Sequence, residues 1–200
     1  MKRIISLLVP FLLVLSMPVF CQSGISDEEF NVTLAKTANG AQWIFKGKAH
    51  SFSVDIIAKK IVPTESANYL TADNRVLQAS VIPMPKSNWN LSKLSPAQQK
   101  EALSRYVDYE LDYFKNDLHI NYKDLNKEWI MVGPKLWLVW TFNSSDFISP
   151  EPVKDKPKFQ IYASTICYNQ VLDLNTPVMS DQSLDESKKI ISRLMASLRF

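Results

Sequence analysis

Leu136-Trp137-Leu138-Val139-Trp140-Thr141-Phe142 is apolar along almost its whole length. Successive side chains of an extended chain point to opposite faces, so Leu136, Leu138, Trp140 and Phe142 face one way and Trp137 and Val139 the other. Neither set tolerates water, and a strand of this kind needs a covering layer above and another below. A single amphipathic helix supplies only one. Reading outward from this strand, the sequence offers two.

Upstream, Ser95, Pro96 and Gln98 mark a helix start. Ser95 is a good N-cap, Pro96 sits where its missing N–H costs nothing, and Gln98 completes a capping box. Leu103, Val107, Leu111, Phe114 and Leu118 follow at steps of three or four and share one narrow arc. The spacing predicts a helix over Pro96 to Leu118 whose arc covers a sheet. Downstream, Ser183-Leu184-Asp185-Glu186 reads as a second capping box, opening a helix in which Leu184, Ile191, Leu194, Met195 and Leu198 face one way. That helix is the other cover.

The remaining strands are short and punctuated by turn residues. Phe30 to Leu34 and Gln42 to Phe45 read as a hairpin through Asn39-Gly40, both able to take positive φ. Phe52, Val54 and Ile56 alternate with polar residues, predicting a half-buried strand that continues toward Val62 and stops at Pro63, followed by a loop over Thr64 to Asn74. Val76 to Ile82 places Leu77, Ala79 and Val81 on one face, and Lys86 to Leu94 is a polar link carrying Trp89 and Leu91. Tyr122 to Val132 leads into the double-faced strand through Gly133-Pro134. After a polar, Pro-rich loop over Ser144 to Lys158, the strand Phe159 to Cys167 pairs with the preceding one. Asn169-Gln170 is read as a tight turn into Val171 to Leu174, ended by Pro177. This order predicts an α+β fold with a mainly antiparallel β-sheet covered by helices on both faces, an α/β/α sandwich.

The layout resembles the PsbP-like and DcrB-like family of small exported α/β/α sandwich proteins. The residues that carry the resemblance are the long helix Pro96 to Leu118, the Trp-rich strand Leu136 to Phe142, and Ile190 to Phe200, where a helix closes in Ala196-Ser197-Leu198-Arg199-Phe200. Phe52 to Pro63 departs from the family's early strand, and a cystatin-like α+β fold is the alternative. The resemblance implies a binding or assembly role and transfers no catalytic residue.

Met1 to Cys21 reads as a secretory signal: Lys2 and Arg3 form a basic start, and an apolar stretch to Phe20 follows. Cleavage before Gln22 leaves a single domain, 22–200, with no transmembrane segment and a secreted or periplasmic destination. Retention of Cys21 as a lipid-modified N-terminus is the alternative, against which the bulky Phe20 argues. Two of the 23 basic residues lie in that leader, against 20 acidic ones, so the body is nearly neutral. No basic run supports nucleic-acid binding. Cys167 is the one cysteine left after cleavage, so no internal disulfide is available. Asn31, Asn90 and Asn143 stand in glycosylation sequons that would matter in a eukaryotic host, but three in a chain of this length are weak evidence and a bacterial envelope is the favoured origin.

Catalytic signatures are scarce. With two histidines, His50 and His119, and no close-spaced pair, a zinc site is not expected. His119 is read as a cation at the end of the long helix and His50 as an exposed edge residue. Cys167 shares the apolar side of its strand, where burial makes a thiol inert. Four glycines provide poorly for a phosphate cradle, and no cofactor is expected. Glu110 and Asp117, bordering the buried arc of the long helix, are the best candidates for a carboxylate pair.

Aromatic residues are the remaining signal. Tyr106, Tyr109 and Tyr113 form a stripe on the long helix beside Ala102. Either their rings flank the sheet contact with wet hydroxyls, or, with Trp89 from the link, they make a ligand-facing groove. The expectation is a non-enzymatic exported envelope protein that binds a partner protein or small ligand, a monomer or weak dimer. An envelope hydrolase using carboxylates near the long helix is the alternative.

Overall fold

The computed structural model describes residues 28–83, 94–144 and 156–200. Three strands, β1 (Asn31–Thr37), β2 (Gly40–Lys46) and β3 (Ser51–Ile57), form a small meander. The chain then enters a second sheet through β4 (Ile61–Pro63), β5 (Tyr69–Ala72) and β6 (Arg75–Pro83). Helix α1 (Pro96–Asn116) follows, then β7 (Lys123–Val132), β8 (Lys135–Asn143), β9 (Phe159–Cys167), β10 (Gln170–Val178) and helix α2 (Leu184–Ala196). The large sheet has the order β4-β5-β6-β10-β9-β8-β7, and all its neighbouring pairs are antiparallel.

The double-faced strand is β8, and both its faces are covered. On one side Leu103, Val107, Leu111 and Phe114 of α1 pack on Leu138, Trp140 and Phe142. On the other, Trp137 joins Ile161, Ala163, Leu172 and Leu174 beneath Ile191, Leu194 and Met195 of α2. The fold is therefore α+β, an antiparallel sheet flanked by two helices on opposite faces. This arrangement decides against the cystatin-like alternative.

One cover is composite. Seven strands about 4.8 Å apart span nearly 30 Å, whereas a helix with its side chains is about 10 Å wide. Helix α2 alone leaves sheet uncovered. The meander fills the rest: Trp43, Phe45, Phe52, Val54 and Ile56 are all buried in the same core as Trp137.

Five local expectations need correction. The first hairpin turns at Ala38-Asn39, not Asn39-Gly40: Gly40 already pairs with Thr37 as the first residue of β2. The strand begun by Phe52 does not run on to Val62: β3 stops at Ile57, and β4 belongs to the other sheet. The loop expected over Thr64 to Asn74 contains β5, because Asp73 and Asn74 both adopt positive φ (46° and 66°) and turn β5 tightly into β6. The turn before β10 is Tyr168-Asn169, with Tyr168 at φ 56°, and β10 runs through Pro177. Pro177 lies past Asn175, the last β10 residue paired with β6, so its missing N–H costs no bond to that strand. Finally, Ser183 caps α2 from the Glu186 N–H at 3.5 Å, but Glu186 does not reach back; its carboxylate is engaged by Arg75 at 2.8 Å.

Helix α1 behaves as its sequence indicates. Ser95 and Gln98 form a complete capping box, and the helix closes where the Ile120 N–H donates to the Phe114 carbonyl at 2.8 Å. His119, at φ 53°, occupies the left-handed turn in that closure. His50 is tied down as well as exposed: its ring stacks 4.0 Å from that of Tyr168, and its Nδ1 lies 2.6 Å from Glu28.

Candidate binding cleft and the polar core under the long helix

The tyrosine stripe of α1 is divided by the packing. Tyr106 is 2% exposed and lies between helix and sheet, Tyr113 is half-buried, and Tyr109 is 57% exposed. Tyr106 and Tyr113, seven residues apart, stand nearly in line, whereas Tyr109 is rotated away from the sheet. Trp89 falls outside the described residues. Of the two carboxylates, Asp117 is exposed at the end of α1, while Glu110 turns inward, so the two do not converge.

Glu110 instead lies near Asp173 of β10, a residue the sequence reading passed over. Asp173 faces α1 from the centre of the large sheet at 6% exposure. The Trp140 indole N–H donates to Ser164 Oγ at 3.0 Å, and Ser164 Oγ donates to Asp173 Oδ1 at 2.5 Å. The Tyr106 hydroxyl is buried near Asp173 without a well-directed hydrogen bond. Burial pushes the Asp173 carboxyl well above its usual range and lifts Glu110 to about 7. The Tyr106 and Tyr162 hydroxyls are raised by the same cause. Two carboxyl groups with raised pKa side by side suit acid–base chemistry. Here, however, Ser164 is fully buried and Asp173 nearly so, and a sealed group cannot meet a substrate. The cluster is a polar knot within the core.

Space for a ligand is found elsewhere. A cavity of about 40 Å³ at the end of α1, between Phe114, Ile120, Phe142 and Tyr162, is too small for more than a water or two. A cleft of about 400 Å³ opens between α2, β3 and the β5–β6 hairpin. Its α2 wall is the stripe Glu186, Lys189, Ile190, Arg193 and Ser197, set at helical spacing. Ile56, Leu77 and Leu194 close its base but are at most 2% exposed; the apolar surface open to the cleft is that of Ile57, 70% exposed on the rim, and of the half-buried Ala58 and Ile190.

The charges in the cleft are unevenly committed. Asp55 pairs with Arg199 at 2.5 Å, Glu186 with Arg75 at 2.8 Å, and Asp73 accepts the backbone N–H groups of Lys59 and Lys60 at 3.2 and 2.9 Å. The Ser197 hydroxyl is bound into β3, accepting the Asp55 N–H at 3.0 Å. Lys189 and Arg193 have no ion-pair or hydrogen-bond partner among the described residues. The stripe on α2 is visible in the sequence as a spacing. That β3 and Asp73 stand opposite it is a non-local fact that no spacing shows.

The other candidates hold no site. Cys167 is buried and its thiol is pushed up to about 12 by that burial, leaving it unreactive. Among the described residues, no three His, Cys, Asp or Glu side chains gather to hold a metal, and no helix is long and apolar enough to cross a membrane.

These features define the class: a small α/β/α sandwich with a ligand-sized cleft and a closed polar core. Neither a family model nor a curated protein matches the chain. Among solved structures it is similar to the solution structure of a cyanobacterial PsbP (CyanoP) from Synechocystis sp. PCC 6803. The TM-score is 0.45 and the identity 12%, over 92% of this chain and 99% of that one. The likeness is one of layout, the PsbP-like sandwich.

Proposed function

We propose that this protein is a non-catalytic accessory domain, exported to the cell envelope, that binds a small ligand in the cleft along α2. The observation that carries this reading is the cleft itself: about 400 Å³, within the range of small-molecule sites, with Ile57, Ala58 and Ile190 beside polar groups at its wall. Among the residues that line it there is no histidine or cysteine, and its one hydroxyl nucleophile, Ser197, is tied into backbone bonds. Tyr109 and Tyr113, on the opposite helix, supply an aromatic surface for a protein partner. Export rests on the leader, residues 1–21, and predicts a mature N-terminus at Gln22. Mass spectrometry of the exported protein checks this, and a diacylated Cys21 would replace the soluble form with an anchored one.

The hydrolase reading draws on the Glu110–Asp173 proximity and is disfavoured by burial. Backbone NMR shifts on titration with envelope metabolites separate the two. Shifts at Ile57, Arg193 and Ser197 support the cleft, whereas turnover that Glu110→Gln abolishes without unfolding the protein would overturn it.

A further inference from the structure

We infer that the cleft takes an amphiphile with an anionic head and an apolar tail, an inference that rests on the ligand-binding reading above. Two of the three acids of the cleft are ion-paired, Asp55 with Arg199 and Glu186 with Arg75, and Asp73 accepts backbone N–H groups, so its single charge stands against two cations. The two charged side chains of the cleft with neither an ion pair nor a hydrogen bond among the described residues are both cations. Lys189 and Arg193 stand four residues apart on one face of α2, where side chains one turn apart can close on a single carboxylate or phosphate, the guanidinium offering a two-pronged donor. Beside them Ala58 and Ile190 present partly exposed apolar surface to the cleft. The rim adds Ile57, 70% exposed, so three apolar side chains stand within a ligand's reach. Cations at the wall beside apolar residues on the wall and rim fit a molecule with charge at one end.

A peptide is the less suitable occupant, because it would add to the free edge of β3. That edge is already taken: Ser53 exchanges both backbone hydrogen bonds with Arg199 at 2.9 Å, and Asp55 bonds Ser197. An anionic head can belong to a free fatty acid or to a phospholipid, and the experiment separates these sources.

The purified protein is titrated, below the micelle concentration, with decanoate, decyl maltoside and decyltrimethylammonium, with affinity and NMR shifts followed together. Decanoate is expected to bind with shifts at Ile57 and Arg193, and decyltrimethylammonium at least tenfold more weakly. The double variant Lys189→Glu/Arg193→Glu should weaken decanoate tenfold or more with an unchanged thermal midpoint. Lys188→Glu, an exposed charge change outside the cleft, should not. Sedimentation with phosphatidylglycerol but not phosphatidylcholine vesicles, lost in the double variant, would assign the head to a membrane lipid and support the same chemistry. Equal binding of all three amphiphiles in the cleft would overturn the anionic class while leaving the ligand cleft standing. No binding of any amphiphile or vesicle, alongside cleft shifts with another metabolite, would overturn the class likewise. A cleft that responds to nothing removes the binding reading itself.

Discussion

Trp137 and Trp140 share a strand yet meet opposite fates. Trp140 stacks on Tyr162 with ring centroids 4.1 Å apart and donates to Ser164, whereas the Trp137 indole N–H is buried without a partner. Losing a satisfied buried bond costs more than losing an unsatisfied donor, so Trp140→Phe should destabilise the protein by about 1–2 kcal/mol more than Trp137→Phe in urea titrations. Glu110 gives a pH signature. Its folded pKa of about 7 exceeds the ordinary 4.5, so the folded chain binds the extra proton and stability declines as pH rises from 4.5 through 7, then levels off. At about 1.4 kcal/mol per pKa unit, the effect is on the order of 3 kcal/mol at most. Asp173 acts in the same direction. Denaturation at pH 5 and pH 8 should show the wild type weaker at pH 8, with the gap narrowed in Glu110→Gln. The inward Glu110 was legible as an arc-bordering carboxylate. Its neighbour could also have been found: in Val171-Leu172-Asp173-Leu174-Asn175 the alternation puts a carboxylate on the face opposite two leucines, and nothing local says that this face is covered too.

At the scale of elements, the turns decide more than the strands do. Gly40 sits at φ 145°, and a Cβ there would lie 2.1 Å from the Ile56 carbonyl oxygen, in β3. Gly133, at φ 57°, has open space around it. Gly40→Ala should therefore cost several times more stability than Gly133→Ala, for which about 1 kcal/mol is expected from the left-handed backbone alone; thermal melts of the two variants make the comparison. The caps differ similarly. Ser95→Ala breaks a reciprocal box and should cost about 1 kcal/mol, while Ser183→Ala gives up only a 3.5 Å bond and should cost less. The long helix and β8 were legible because their periodicity is local. β5 was not, since its four residues are too short to show alternation, although the Asp73-Asn74 turn beside it was a usable sign. Glu186 misled for another reason: a salt bridge to Arg75, 111 residues away, took its carboxylate from the cap.

The molecule as a whole is two cores on either face of one sheet, and β8, β9 and β10 line both. Because the cores share these strands, unfolding should be a single transition. Helical circular dichroism and tryptophan fluorescence should share one midpoint, and separated midpoints would show that the layers are independent. Trp43→Ala, in the meander, should cost about 3–5 kcal/mol, as a central core residue would, because that sheet is part of the cover. Two covers were legible from β8 alone. That one cover is shared between a helix and a second sheet was not, because sheet membership is set by pairing between distant segments.

The stitch of Ser53 and Asp55 to residues 197–199 has a kinetic meaning. The Asp55–Arg199 pair joins positions 144 apart, so the meander's margin can be secured only after residue 199 has been synthesised. Closing so large a loop is slow. Until that latch sets, the β3 margin is an open sheet edge.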